Sequence, residues 1–262
     1  MTINIICGNI ELQTNIILNI ILKGGCHKTR MITKEQVKDP KLRILTVCVR
    51  MFIEKGFKST TMLDIIREAD VSSGTFQNIF KTKDGVLLYL IDVMFKNQFL
   101  MARGMTGEEE NPVFVYAAET AIQFAIVEMN ENLREIYIEV YTQPQLAECI
   151  YQKTSTELGK IFGKHNPTWN ESDFYESEIG SAGIMRAYMV KKCDKYFTLR
   201  KKINRFLDMA LKCYNVPQDE IEKAIAVVGK IDLEKTAKEV MNKLFSALEM
   251  AFGFKFTYNE EN

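Results

Sequence analysis

The chain has 262 residues, 47% of them hydrophobic and 26% charged, enough to bury a sizeable core without disulfide or metal staples. Lys plus Arg equals Asp plus Glu at 34 each, which excludes a uniformly basic nucleic-acid coat. The charge is divided instead: 12 Lys/Arg against 8 Asp/Glu over 31–103, and 19 against 25 over 104–262, as for a polyanion-facing front and a body with another task. The cysteines Cys7, Cys26, Cys48, Cys149, Cys193 and Cys213 form no CxxC pair, and the histidines are only His27 and His165. This argues for a reducing, cytoplasmic setting with no metal site and no cofactor.

Residues 1–33 form an atypical extension rich in Ile and Asn. Its apolar run is too short and too interrupted to span a bilayer, and its first charge, Glu11, is not the early cation of a secretory leader, so no membrane association is expected. Two readings stand: a disordered or strand-like extension, or a native start at Met31, where Met31-Ile-Thr-Lys-Glu-Gln opens a helix with Thr33 as its cap.

Residues 34–103 read as four helices. The first covers about 36–55, with Leu42, Leu45, Val49 and Phe52 at helical spacing, and Gly56 stops it as a left-handed C-terminal residue. Thr61 caps a second helix with Asp64 in a capping box, and Met62, Ile65, Ile66 and Ala69 line one face. Asp70 is placed to take a left-handed turn, and Ser72 caps a short third helix at about 73–79, whose Phe76 and Phe80 face one way. A turn at Lys81-Thr82-Lys83 leads to a fourth helix at about 84–103.

The run Gly104-Met-Thr-Gly-Glu-Glu-Glu-Asn-Pro112 is the clearest boundary. Beyond it, helical patterns cover about 112–130, 132–142, 144–163, 171–192, 198–214, 218–229 and 232–252. No strand-like alternation or repeat appears, so the fold class is all-α, with one helical domain at 34–103 and a second at 104–262.

A short second helix with small outward residues describes a helix-turn-helix, because its N-terminal end must enter a DNA major groove about 12 Å wide. Ser72, Ser73, Gly74 and Thr75 meet that demand, and their N–H groups suit a phosphate. Gln77 and Asn78 are the residue types that pair with adenine edges, and Lys81 and Lys83 follow where phosphates pass.

Residues 43–88 resemble the DNA-binding domain of tetracycline-repressor (TetR) family regulators. The resemblance lies in the Phe52-x-x-x-Gly56-Phe57 turn, the Thr60-Thr61 pair, Val71-Ser-Ser-Gly-Thr75 and Phe80-Lys-Thr-Lys83, all at the family's spacing without a gap. It implies double-stranded DNA as a partner, phosphate contacts from Thr61 (with Thr60 beside it) and from Lys83, and reading by Ser73, Gly74, Thr75, Gln77 and Asn78. Gln77 stands where a Tyr is usual and Asp70 where a turn Gly is frequent, which implies an unusual operator.

The resemblance also implies a homodimer and a small-molecule effector held in the C-terminal helices. Candidate pocket residues are Tyr116, Phe124, Tyr137, Tyr141 and Trp169. Glu128, Glu135 and Glu139 lie in apolar helical settings that suit a cationic ligand or a solvated face. The small-residue face of Gly180, Gly183 and Ala187, flanked by Ile179, Ile184 and Tyr188, suits either a dimer contact or a tight intramolecular one. The last helix, with Val240, Leu244 and Leu248, is the other candidate dimer face.

The basic stretch Lys191-Lys192, Lys195 and Arg200-Lys201-Lys202 reads as cations near helix ends rather than a second nucleic-acid patch. No Ser/His/Asp or Cys/His arrangement and no Gly-rich phosphate loop points to an enzyme. The function expected is a ligand-responsive dimeric repressor; the alternative is a helical interaction or small-molecule-binding protein that kept the fold without specific DNA binding.

Overall fold

The structure is a computed structural model that describes residues 39–91 and 111–252. The expected extension at 1–33, the C-terminal part of the fourth helix and the linker around 104–110 lie outside the described residues, as do the side chains of Leu244 and Leu248. The described residues are mostly helical, with short turns between helices and no strand among them.

Helix α1 spans Pro40–Glu54. It begins later than the expected 36, because Asp39 is extended and caps it, its carboxylate accepting from Lys41 N at 2.9 Å, with Pro40 in the first turn. Its apolar stripe, including Ile44, Leu45, Cys48 and Phe52, is buried. Gly56 ends it at φ +89°. Helix α2 (Met62–Glu68) opens with the capping box expected from Thr61 and Asp64: Asp64 N donates to Thr61 Oγ1 at 3.1 Å and Thr61 N to Asp64 Oδ2 at 3.3 Å. Asp70 takes the left-handed turn at φ 51°, and Arg43 of α1 donates to its carbonyl at 2.9 Å. Helix α3 spans Ser73–Ile79, and α4 is helical over 83–91.

The body holds α5 (Pro112–Met129), α6 (Glu131–Val140), α7 (Pro144–Phe162), α8 (Glu171–Val190), α9 (Leu199–Cys213), α10 (Gln218–Gly229) and α11 (Leu233–Phe252). Proline or an Asn, Thr or Pro cap marks most of these starts, which is why their boundaries fall close to the sequence pattern. Asn130 ends α5 and begins α6, accepting from Leu133 N at 2.9 Å. Helix α5 is long and apolar enough to cross a membrane, but here it is the central core helix, packed by α6, α7, α9, α10 and α11. Helix α8 lies across α6, α7 and α9.

The N-terminal helices sit on the body through α1, which packs against α6 and α11. Asn132 Nδ2 donates to Ile53 O at 2.7 Å, and Lys58 N donates to Glu135 Oε1 at 2.9 Å. A Cβ added at Gly56 would lie 2.6 Å from Glu135 Oε2 and 3.0 Å from Asn132 Oδ1, so this glycine serves both the turn and the close approach of α6.

Two expectations for the body are corrected. Val240 faces the core at 9% exposure, beside Leu233, Ala237 and Phe245, so it belongs to α11's inner face and not to a dimer surface. Lys202 is fully buried: its ammonium bonds to Glu128 and to the carbonyl of Lys191, and Arg134 joins Glu128 at 2.9 Å. The cations near 200 are therefore partly a structural pin tying α9 to α5 and α6.

Candidate nucleic-acid interface

Helix α3 is held from behind and bare in front. Phe76 is fully buried and Phe80 nearly so, their rings 6.2 Å apart, and Phe80 meets Tyr89 of α4 at 5.8 Å. Arg50 of α1 pairs with Glu68 of α2 at 2.6 Å. These contacts tie α2 to α1 and α3 to α4 and leave Ser72, Ser73, Gly74, Gln77 and Asn78 exposed in one strip.

Within that strip, Ser72 Oγ accepts from Thr75 N at 3.0 Å and pairs with Thr75 Oγ1 at 2.8 Å, so these two hydroxyls set the helix start. The amides of Gln77 and Asn78 have no hydrogen bond among the described residues. A Cβ at Gly74 would meet nothing closer than Ser72 Oγ at 3.8 Å. A glycine inside a helix costs about 1 kcal/mol relative to Ala, and no neighbour in this chain demands it. Lys81 is exposed and holds a left-handed backbone at φ 63°.

Two residues expected at the interface have other roles. Thr60 is fully buried, and its hydroxyl donates to Gly56 O at 2.7 Å. It closes the α1–α2 turn from inside, so its side chain cannot reach DNA. Lys83, expected at a phosphate, turns its ammonium inward: it donates to Phe57 O at 2.6 Å and Thr60 O at 2.9 Å and lies 4.1 Å from the centre of the Phe57 ring. Thr61 is exposed, but its hydroxyl donates to Asp64 Oδ2 at 2.6 Å, which holds the Asp64 carboxyl below its ordinary range. Lys81 is therefore the basic side chain of this strip left facing outward.

The body gathers the expected pocket residues unevenly. Phe124 is buried and packs edge-on to Phe206 at 5.1 Å, so it is core and not pocket. Trp169 lines an open groove of about 370 Å³ with Phe174, and none of the tyrosines belongs to its walls. Tyr116, Tyr137 and Tyr141 do come together, joined by Tyr151 and Tyr214, which sequence reasoning missed. Tyr116 packs edge-on to Phe162 at 5.2 Å, and Phe162 stacks on Tyr214 at 4.3 Å.

The carboxylates among these rings are also different ones. Glu128 is neutralised by Lys202 and Arg134, Glu135 accepts from Lys58 N, and Glu139 accepts from Gln143 Nε2 at 2.6 Å. The carboxylates raised by desolvation are the partly buried Glu119 of α5 and the buried Glu178 of α8, both pushed up to about 7. Glu178 accepts from Tyr214 Oη at 2.9 Å. Its place was readable: Phe174, Glu178, Ser181, Ala182, Met185 and Met189 recur at helical spacing as the buried face of α8. Among the described residues no group of three or more His, Cys, Asp or Glu is placed to hold a metal.

On the outer side of α8, Gly180, Gly183 and Ala187 are exposed, as are Ile179 and Val190. A Cβ at Gly180 or Gly183 would meet nothing within 4 Å. A tight intramolecular contact is thereby excluded as the reason for these glycines within the described residues.

Residues 44–90 match the family of bacterial regulatory proteins, tetR family. The chain is similar to the HTH-type transcriptional regulator HbdR of Aromatoleum sp. (strain CIB), 40% identical over 60 residues, 21% of this chain and 26% of that protein. It is similar to two uncharacterized HTH-type transcriptional regulators of Bacillus subtilis (strain 168). YuxN is 22% identical over 88 residues, covering 34% of this chain and 30% of its own. YerO is 38% identical over 52 residues, covering 20% and 18%. The chain thus spans under a third of the length of these curated relatives. No solved structure matches it.

Proposed function

Because residues 44–90 form a TetR-family helix-turn-helix domain, we propose that the whole chain is a cytoplasmic, dimeric, effector-responsive transcriptional regulator, acting as a repressor. The observation that carries the DNA-reading part is the bare strip of α3: Gly74, Gln77 and Asn78 exposed, without internal partners, on a helix locked from behind by Phe76 and Phe80. Free amides at Gln77 and Asn78 suit bidentate contacts to adenine edges, and the missing side chain at Gly74 lets the backbone come close to the groove wall. Lys81 supplies the phosphate contact that Lys83 does not.

The dimer is supported by the outer face of α8, where Gly180, Gly183 and Ala187 leave a flat strip between Ile179 and Val190. Two copies packed there would hold two reading heads apart by a fixed distance, as a two-fold DNA site requires. An effector bound among the body helices would act by preferring one head spacing over another.

Duplex binding by fluorescence anisotropy tests the reading strip. Gly74→Ala should stabilise the fold by up to about 1 kcal/mol while weakening specific binding about tenfold, or about 1.4 kcal/mol. Lys81→Ala should weaken binding to every sequence and lower the slope of log affinity against log salt by about 1. Wild-type affinity in both variants would overturn the assignment of this strip.

A further inference from the structure

We propose that Lys83 is a positioning residue for DNA binding: its inward-turned ammonium anchors the start of α4 to the α1–α2 turn and so holds Lys81 in the backbone conformation that aims it at a phosphate. This rests on the reading strip proposed above, with Lys81 as its phosphate contact, and names the residue that sets that contact. Lys83 opens α4 and is half-buried. Its Nζ donates to Phe57 O at 2.6 Å and to Thr60 O at 2.9 Å, and the centre of the Phe57 ring lies 4.1 Å away. These partners are neutral and stand 26 and 23 positions earlier in the chain. Phe57 is buried with its ring edge-on to Phe52 of α1 at 5.0 Å, so the anchor point is fixed to α1. Thr60 is fully buried, so without Lys83 its carbonyl would lie unpaired in the interior. Bonds from a charged donor are also stronger than neutral ones, which makes this anchor hard to release.

The chain from Phe80 to Lys83 is thereby held at both ends. Phe80, at the end of α3, is buried with its ring against Phe76 and Tyr89. Between the two fixed points, Lys81 N donates to Gln77 O at 3.1 Å, Thr82 N to Phe80 O at 2.7 Å and Gly85 N to Thr82 Oγ1 at 3.1 Å. A Cβ at Gly85 would lie 2.0 Å from Phe80 O, so α4 closes on the end of α3 as tightly as a glycine permits.

Lys81 bridges this turn at φ 63°, a region that residues with a Cβ adopt reluctantly. Its own side chain does not hold it there, since among the described residues its ammonium has no hydrogen bond or ion pair. The conformation is therefore imposed from the two ends of the turn, by Phe80 on one side and Lys83 on the other. Releasing Lys83 lets Lys81 relax to right-handed or extended backbone, which swings its side chain away from the strip of Gln77 and Asn78. One lysine of the pair faces outward because the other is tied inward.

The test is the salt dependence of binding to a mixed-sequence duplex long enough for a two-fold site, for the full chain, Lys81→Ala, Lys83→Met and the double variant. Methionine keeps most of the length and apolar stem of this side chain and removes its donors. Each single variant should bind about tenfold more weakly and lower the slope of log affinity against log salt by about 1. The double variant should also lower the slope by about 1, because both changes remove the same contact. A fall of about 2 in the double variant would put Lys83 itself on a phosphate and overturn the proposal. Weaker binding by Lys83→Met with a wild-type slope overturns it as well, since the residue would then only support the fold. Wild-type binding by Lys83→Met beside a weakened Lys81→Ala overturns it and leaves the reading strip standing, whereas wild-type binding by Lys81→Ala removes the phosphate contact of the strip and the proposal with it. Should Lys83→Met lose helical content by circular dichroism, acetylation of the wild-type chain by acetic anhydride, read by mass spectrometry, decides. Lys81 should react in the free chain and be protected by the duplex, and Lys83 should react slowly in both; Lys83 reacting as fast as Lys81 in the free chain overturns the proposal.

Discussion

Glu178 shows what a single side chain does to this fold. Its carboxyl is raised to about 7 by burial, so the native state keeps a proton that the unfolded chain releases near its ordinary value of 4.5. The resulting penalty is absent below about pH 4.5, grows as pH rises and levels off above 7, at a size on the order of 3 kcal/mol. Glu178→Gln should therefore leave stability nearly unchanged at pH 4.5 and raise it at pH 8, measured by urea unfolding; no gain at pH 8 would contradict the burial assigned to it. A residue kept at such a cost is a functional candidate. Residue roles were legible in the sequence where local spacing decides them. Thr61 with Asp64, Asp70 in its left-handed turn and Gly56 at the helix end follow from cap and turn chemistry. Thr60 and Lys83 were misplaced because their partners, Gly56 O, Phe57 O and Thr60 O, depend on how the turn folds back under α4.

Among the elements, α6 joins two jobs in ten residues. Its first turns accept from Lys58 N and donate to Ile53 O, and its end carries Tyr137 toward the tyrosine cluster. Glu135→Ala removes the acceptor for Lys58 N and should speed amide hydrogen exchange at Lys58 and its neighbours while leaving α9 unchanged. Uniform acceleration over the whole chain would instead mean that α6 merely supports the core. Helix identities were readable because Pro112, Pro144 and the caps at Asn130, Asn170 and Thr198 punctuate the chain, whereas the Asp39 cap and Pro40 that start α1 were passed over. The seat of α1 on α6 was not, since Ile53 and Asn132 lie 79 positions apart and nothing local marks them as partners. The same limit applied to Val240, whose apolar spacing fits an inner face or an interface equally until α5 is seen beside it.

For the whole molecule, the account needs two copies. Gly183→Arg places a large charge where the chain itself leaves empty space, so the monomer should fold with unchanged helical content. Sedimentation should then show loss of the dimer, and binding to a two-fold site should fall with it. A variant still dimeric at wild-type strength would move the interface elsewhere. The central claim, however, is that α3 reads DNA with amides. Selection of bound duplexes from a random pool, with wild type and Gln77→Ala side by side, tests it most directly. The account predicts an enriched near-palindrome with adenine at fixed half-site positions, lost at those positions in Gln77→Ala. A pool that stays random, with affinity falling steeply in salt for both proteins, would contradict it.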